Sequence, residues 1–279
     1  MAIDILSAFE QEQPPQDFVI PGFLAGTVGA LVAPGSTGKS FLALQIAGAV
    51  AGADSLGLGV AATGRVIYYN AEDPQDEIKR RLHSLGAVLS PDQRQEVVER
   101  LTIEPVCGSM LNILNDQHRA GIIKHSEGAR LIIFDTLSRI HTAEENDNGA
   151  MAQVVAVLEN IAKETGGSVL FLHHTSKAAA FNSQGDLQQA ARGASSLIDN
   201  ARWCGYLSKM TEQEAGKLTD RMDRQPISKD RAGFFVRFGV SKQNYGGPIG
   251  ERWYEKGQGG LLKQVWLKDA KKAGGRDEL

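Results

Sequence analysis

Apolar and polar positions follow two rhythms along this chain. Short unbroken apolar runs read as buried strands. Longer stretches with apolar residues three and four apart read as helices. Thr27 to Ala33 is a buried strand, and Lys39 to Ala51 is a helix of Ala, Leu and Ile. Arg65 to Asn70 (RVIYYN) is a strand, and Pro74 to Leu85 a helix with Asp76–Arg80 and Glu77–Arg81 pairs at i,i+4 spacing. Ser90 caps the next helix, with Pro91 in its first turn. Leu101 to Pro105 is a short strand, and Leu131 to Asp135 (LIIFD) and Ser168 to His173 (SVLFLH) are buried ones. Between those two, Asn148 to Thr165 is a long helix with Val154, Leu158 and Ile161 on one face, stopped by Gly166-Gly167.

Strands alternating with helices imply an α/β fold with a mostly parallel sheet covered on both faces. The rhythm then changes. Arg202 to Leu207, Phe234 to Val240, Arg252 to Glu255 and Leu261 to Leu267 are strands with little helix between them, expected to extend the sheet in antiparallel fashion. Leu218 to Ala232 is charged, contains Pro226 and reads as a surface loop. Residues 1–22 are polar, with Pro14-Pro15 and Pro21-Gly22, and hold a small apolar face of Ile3, Ile5, Leu6 and Phe9. They read as an arm, folded back on its own domain or docked on a neighbouring subunit. Residues 23–279 read as one domain.

Composition narrows the classes. The chain has 279 residues with 42% hydrophobic and 23% charged, a soluble globular balance. No apolar run reaches the roughly 18–20 residues of a membrane span. The first twenty residues hold Asp4, Glu10, Glu12 and Asp17 but no Lys or Arg, so no secretory signal is expected. The final Arg276-Asp277-Glu278-Leu279 resembles a retention tail, which means nothing without an entry signal. Cys107 and Cys204 are far apart, which disfavours a disulfide framework or zinc site and fits a reducing cytoplasm. The net charge of −3 means that any nucleic-acid contact must be local.

The strongest chemical signal is Ala33-Pro34-Gly35-Ser36-Thr37-Gly38-Lys39-Ser40, followed by Phe41, between a strand and a helix. Gly35 and Gly38 let backbone N–H groups turn around phosphate oxygens. Lys39 reaches the β and γ phosphates of ATP, the Ser40 hydroxyl ligates Mg²⁺, and the helix N-terminus adds its dipole. The first position is Ala33 where the strict motif has glycine; a small residue serves if its φ stays negative. Asp135 ends a buried strand, as a second Mg²⁺ ligand through water or as a cap. Glu72 follows its strand as the candidate base for the attacking water, and Asp73 as a helix cap. His174 at the end of the next strand is a candidate γ-phosphate sensor, or a satisfied buried histidine. His173 and His174 point to opposite faces and cannot share a metal ion.

APGSTGKS, NAEDP, LIIFDT, FLHHTSK, RGASSLIDNARW and FGVSKQNYG occur in this order. The chain thereby resembles the RepA-type hexameric replicative helicases of broad-host-range plasmids, within the RecA/DnaB-like ATPases, from about Gly26 to Gly260. The resemblance implies a RecA-like P-loop core, a bacterial cytoplasmic protein, a homo-hexamer with ATP between neighbours, and an arginine finger supplied in trans. Arg202 stands where the family carries that arginine; a strand-edge salt bridge is its plainer role. Relatives carry a Lys-x-Arg pair where this chain has Lys242-Gln243-Asn244, so its arginine is missing. That leaves Arg202 and Arg252 for the finger and Lys242 as an ancillary γ-phosphate contact. Arg81 faces the site or simply pairs with Glu77. The family's DNA loops fall on Ser138 to Met151, with Arg139, and on Ser176 to Ser196, with Lys177 and Arg192. Single-stranded DNA and forked duplex are the implied partners, with a primase or origin-binding initiator as further ones. A RecA-like filament or regulatory ring that does not unwind DNA is the alternative. A small-molecule kinase is disfavoured, because no arginine-rich lid follows the core and Glu72 suits activation of water.

Overall fold

The computed structural model describes residues 2–175, 195–247 and 249–270. Thirteen strands are seen among the described residues: β1 (Phe18–Ile20), β2 (Phe23–Leu24), β3 (Val28–Ala33), β4 (Val66–Asn70), β5 (Leu101–Pro105), β6 (Leu131–Asp135), β7 (Ser168–His174), β8 (Trp203–Lys209), β9 (Leu218–Thr219), β10 (Phe235–Gln243), β11 (Arg252–Lys256), β12 (Leu262–Val265) and β13 (Lys268–Asp269). The helices are α1 (Ile5–Glu10), α2 (Lys39–Ala51), α3 (Gln75–Gly86), α4 (Pro91–Arg100), α5 (Asp116–His125), α6 (Asn148–Thr165), α7 (Ser195–Asn200), α8 (Glu212–Ala215) and α9 (Lys229–Ala232). Nine strands form one sheet in the order β12-β11-β10-β8-β3-β7-β6-β4-β5. From β8 to β5 all neighbours are parallel, and β10, β11 and β12 add on in antiparallel fashion.

The apolar runs are unbroken because both faces of the sheet are covered. In β4, Val66 and Tyr68 enter one core with α2, while Ile67 and Tyr69 enter the other with α5 and α6. Helix α2 is apolar nearly all round because it lies between the sheet and α4. Its buried Gln45 donates to the Leu262 carbonyl and accepts from the Leu262 N–H, both at 2.9 Å. Ser90 and Gln93 form a reciprocal capping box on α4, with Pro91 at its start. Gly166, left-handed at φ 72°, ends α6.

Five details depart from the sequence expectations. The strand predicted over Arg202–Leu207 as antiparallel is β8, and it runs parallel to β3. Helix α7, with Leu197 and Ile198 buried beside α6, returns the chain to the same edge. The expected loop Leu218–Ala232 instead folds as a small lobe around Met210, Ala215, Ile227, Ala232 and Phe235. Helix α5 carries a single buried residue, Ile122, and so shows no apolar face in the sequence. The linker expected to run to Gly22 stops at Asp17: Val19, Ile20 and Phe23 are core residues, and Phe23 stacks on Trp203 with centroids 5.4 Å apart. On α3, Arg80 pairs with Glu77 and Asp76 with Lys79, not with each other. Among the described residues no helix is long and apolar enough to cross a membrane.

The β1–β2 hairpin is tied down by Arg130, which donates twice to Asp17 (2.8 and 2.7 Å) and once to the Phe18 carbonyl (3.1 Å). Asp17→Asn is expected to lower stability at neutral pH by at most about 1 kcal/mol, because half of Asp17 is open to solvent. Hydrogen bonding from Arg130 holds the Asp17 carboxyl below its ordinary range. Its contribution is therefore full above that range and is lost as pH falls through the depressed pKa. Denaturant titrations should show the gap between wild type and variant closing on acidification.

Candidate nucleotide-binding site

Parallel alignment delivers the ends of β3, β4, β6 and β7 to one edge of the sheet, where a cleft of about 340 Å³ opens. Residues 34–38 connect β3 to α2. Ser36 (φ 60°) and Gly38 (φ 103°) are left-handed, which turns successive N–H groups toward the cleft. The Thr37 hydroxyl donates to the Pro34 carbonyl at 2.8 Å and stiffens the turn. Ala33 is the last residue of β3 and is not left-handed, so its backbone has no need of glycine.

Lys39, at the start of α2, is 4% exposed, and its ammonium has no partner among the described residues. Burial pushes its pKa down, while Asp135, Glu72 and Asp73 pull it back up. Asp135 is fully buried at the end of β6. Its Oδ2 accepts from the Tyr68 hydroxyl at 2.6 Å; its Oδ1 has no partner among the described residues. Burial pushes the Asp135 carboxyl up, against Lys39 and the hydroxyls of Tyr68 and Ser40. A lone buried ammonium at the foot of a glycine turn and a lone buried carboxylate oxygen at the end of β6 fit a phosphate and a hydrated Mg²⁺.

Glu72 follows β4 and lies 3.4 Å from Nε2 of His174, the last residue of β7. The buried Asn70 side chain sets this turn, donating to the Asp73 carbonyl at 2.6 Å and accepting from the Asp73 N–H at 3.2 Å. The expected cap role of Asp73 does not hold. Pro74 occupies the cap position of α3 without a side-chain bond, and Asp73 accepts from Arg81 at 2.7 Å. Arg81 also meets Glu77 at 3.3 Å and lines the cleft. His173 does not line the cleft; burial pushes its pKa down, with Glu145 opposing and Lys39, His174 and His141 adding to the shift. The described residues contain no cluster of three His, Cys, Asp or Glu side chains able to hold a metal.

Sequence reasoning missed Tyr68, Lys256 and the Gly259-Gly260 turn, which reach this edge from other strands. Three expected phosphate contacts lie elsewhere. Arg202 is exposed, and its backbone N–H donates to the Val28 carbonyl, at the amino-terminal edge of the sheet. Lys242 ends the antiparallel β10 near Arg202 and donates to the Ile198 and Asp199 carbonyls of α7, at 3.1 and 2.5 Å. Arg252 begins β11 opposite Phe238 and donates to the Gly57 carbonyl, four residues or about 13 Å before Lys256. None of the three touches the cleft of its own chain. Arg139 is exposed in a 3₁₀ turn after β6; Lys177 and Arg192 lie outside the described residues.

Fold and site together define a P-loop ATPase of RecA/DnaB-like architecture. A family model described as an AAA domain matches residues 3–180, and the chain belongs to that family. Such a family implies nucleotide binding, usually with Mg²⁺. Three solved structures share the fold. One, an isolated ATPase domain, is 16% identical, with a TM-score of 0.56 over 93% of this chain and 95% of that one. The RadB recombinase is 15% identical, with a TM-score of 0.53 over 87% and 92%. A DnaB-like replicative helicase, described with its interactions with primase, is 17% identical, with a TM-score of 0.61 over 93% of this chain and 66% of that one.

Tyr68→Phe keeps the ring but removes the 2.6 Å donor to Asp135, leaving the Ser40 hydroxyl as its remaining one. Its expected effect is about tenfold weaker binding of Mn²⁺ (as a Mg²⁺ probe) to the nucleotide-loaded protein, or roughly 1.4 kcal/mol. Nucleotide affinity in chelator should be unchanged. Electron paramagnetic resonance titration of Mn²⁺ checks the first, and calorimetry in chelator the second.

Proposed function

We propose that this chain is an ATP-driven, ring-forming DNA helicase that translocates on single-stranded DNA and separates duplex. The observation that carries the reading is the division of the sheet into two edges. The carboxyl edge holds the phosphate loop, Glu72, Asp135 and His174. The amino edge holds the exposed Arg202, which cannot reach its own cleft. A homo-oligomer that sets one chain's amino edge against its neighbour's cleft would complete the site, and the resemblance to RepA-type helicases makes that oligomer a hexamer. The apolar face of α1 suits the same assembly. Ile3, Ile5, Leu6 and Phe9 are 83, 64, 65 and 82% exposed, a face available to a neighbouring subunit.

In this reading Lys39 and the N–H groups of residues 35–40 hold the β and γ phosphates. Ser40 and Asp135 hold Mg²⁺, which would neutralise charge on the phosphate oxygens. Glu72 orients the attacking water and takes its proton. His174, hydrogen-bonded to Glu72, passes the loss of γ-phosphate to the segment after β7. Arg202 stabilises the neighbour's transition state. Arg139, Lys177 and Arg192, repeated around the ring, track DNA phosphates without sequence choice. Arg252 is a second candidate for the neighbour's phosphate and Lys242, on the Arg202 edge, an ancillary contact; a primase or origin-binding initiator is a further partner. The likeness to a DnaB-like replicative helicase described with primase supports this reading, whereas the likeness to the RadB recombinase favours a non-unwinding filament as the second.

Strand separation of a forked duplex with Mg-ATP tests the first reading. ATP-dependent separation that is lost in Glu72→Gln is expected, with turnover falling at least about 10²-fold while ATP still binds. Hydrolysis stimulated by single-stranded DNA without separation would favour the filament. Arg202→Ala should lower turnover by about 10³-fold or more and leave the ring intact by light scattering. Mixing it with Lys39→Ala should restore part of the turnover, because some interfaces then pair an intact loop with an intact arginine.

A further inference from the structure

We propose that Lys256 is a phosphate-binding residue of the same chain's nucleotide site, delivered by the β11–β12 hairpin to the phosphate loop. The proposal rests on the nucleotide-binding reading and adds a second cation, acting in cis, to Lys39. β11 pairs antiparallel with β10, which pairs antiparallel with β8, so β11 runs in the direction of β3. Its last residue therefore emerges at the edge where the loop lies. A methyl group placed on Gly38 would stand 3.4 Å from Lys256 Cε and 3.9 Å from Nζ, so the ammonium sits over the most sharply turned residue of the loop.

Among the described residues that ammonium has no carboxylate to answer its charge. Burial and the nearby Lys209 both push its pKa down, and no acidic group pulls it back up. The carboxylates of the cleft are engaged elsewhere: Asp73 and Glu77 hold Arg81, and Glu72 meets His174. A half-buried cation without a counter-charge is costly in a folded protein. Beside a glycine turn lined with N–H groups, the missing partner is an anion, and the space over Gly38 is where a phosphate chain runs.

The position of Lys256 is tied to the loop through α2. The Gln45 clamp on Leu262 fixes the hairpin to the helix that the loop opens. The turn that follows, Gly257 to Gly260, is pressed against α3 and α2. Gly259 and Gly260 are left-handed (φ 67° and 87°), and their added Cβ atoms would lie 2.3 Å from Ser84 Oγ and 3.3 Å from Phe41 Cδ2. Only glycine allows that approach, so the lysine is held close rather than swung in from solvent.

The test is calorimetric binding of ATP, ADP, adenosine and inorganic pyrophosphate to the full chain and to Lys256→Met and Lys256→Arg. Lys256→Met should weaken ATP about 10- to 100-fold, the usual range for loss of a hydrogen bond to a charged group. ADP and pyrophosphate should weaken too, adenosine should be unchanged, and Lys256→Arg should recover most of the loss. The thermal midpoint of ligand-free Lys256→Met should equal or exceed that of wild type, because an unpaired cation has been removed and an apolar stem kept. Wild-type ATP affinity in Lys256→Met overturns the proposal, as does an equal loss for adenosine, which would mark a contact to the base. Failure of the wild-type chain itself to bind ATP would overturn the underlying nucleotide reading, and is told apart by that one titration.

Discussion

In a parallel sheet every strand delivers its carboxyl end to the same edge, and the cleft of this protein depends on that alignment. Ala33, Asn70, Asp135 and His174 are far apart in sequence and end four neighbouring strands. Once the hydrophobic runs pair in register, the loop, the buried carboxylate, Glu72 and the histidine converge without a local signal to bring them there. The returning strands split the remaining cations. β10 reverses direction and takes Lys242 to the far edge near Arg202; β11 reverses again, with Arg252 level with the carboxyl end of β3 and Lys256 four residues further on at the loop.

The cleft is left electrostatically open. Asp73, Glu77 and Arg81 satisfy one another on one wall. Lys39 Nζ and Asp135 Oδ1 are buried without partners among the described residues on the other. Such orphan groups cost stability, and the two hydrophobic cores on either face of the sheet hold the backbone that carries them. The Tyr68 hydroxyl limits that cost by satisfying one Asp135 oxygen and leaving the other free. A phosphate and a hydrated cation would supply the partners these groups lack, so the cost of holding them apart would return as affinity.

Much of this was legible from residues close together in the chain. Unbroken apolar runs mark β3, β4, β6 and β7, because covered strands need apolar residues on both faces. Ser90, Pro91 and Gln93 mark the start of α4, and Gly166 the end of α6, because caps are satisfied within a few residues. The phosphate loop is the clearest case: strand, glycine turn, Lys39 and Ser40 are one continuous segment whose chemistry needs no distant partner.

Tertiary structure decided what depended on strand order. Tyr68 meets Asp135 only because β4 lies beside β6, and Asp73 takes Arg81 instead of capping α3 because the Asn70 turn aims it there. Ile227 is buried by contacts across the lobe, which no reading of a charged, proline-containing stretch could supply. Arg202, Lys242 and Arg252 look equivalent as isolated cations; strand direction sends Arg202 and Lys242 to the edge away from the loop, while Arg252, level with the end of β3, is held outside the cleft by the Gly57 carbonyl. Periodicity and capping act over a few residues and are written in the chain, whereas pairings between distant segments are set by which strands lie side by side and in which direction they run.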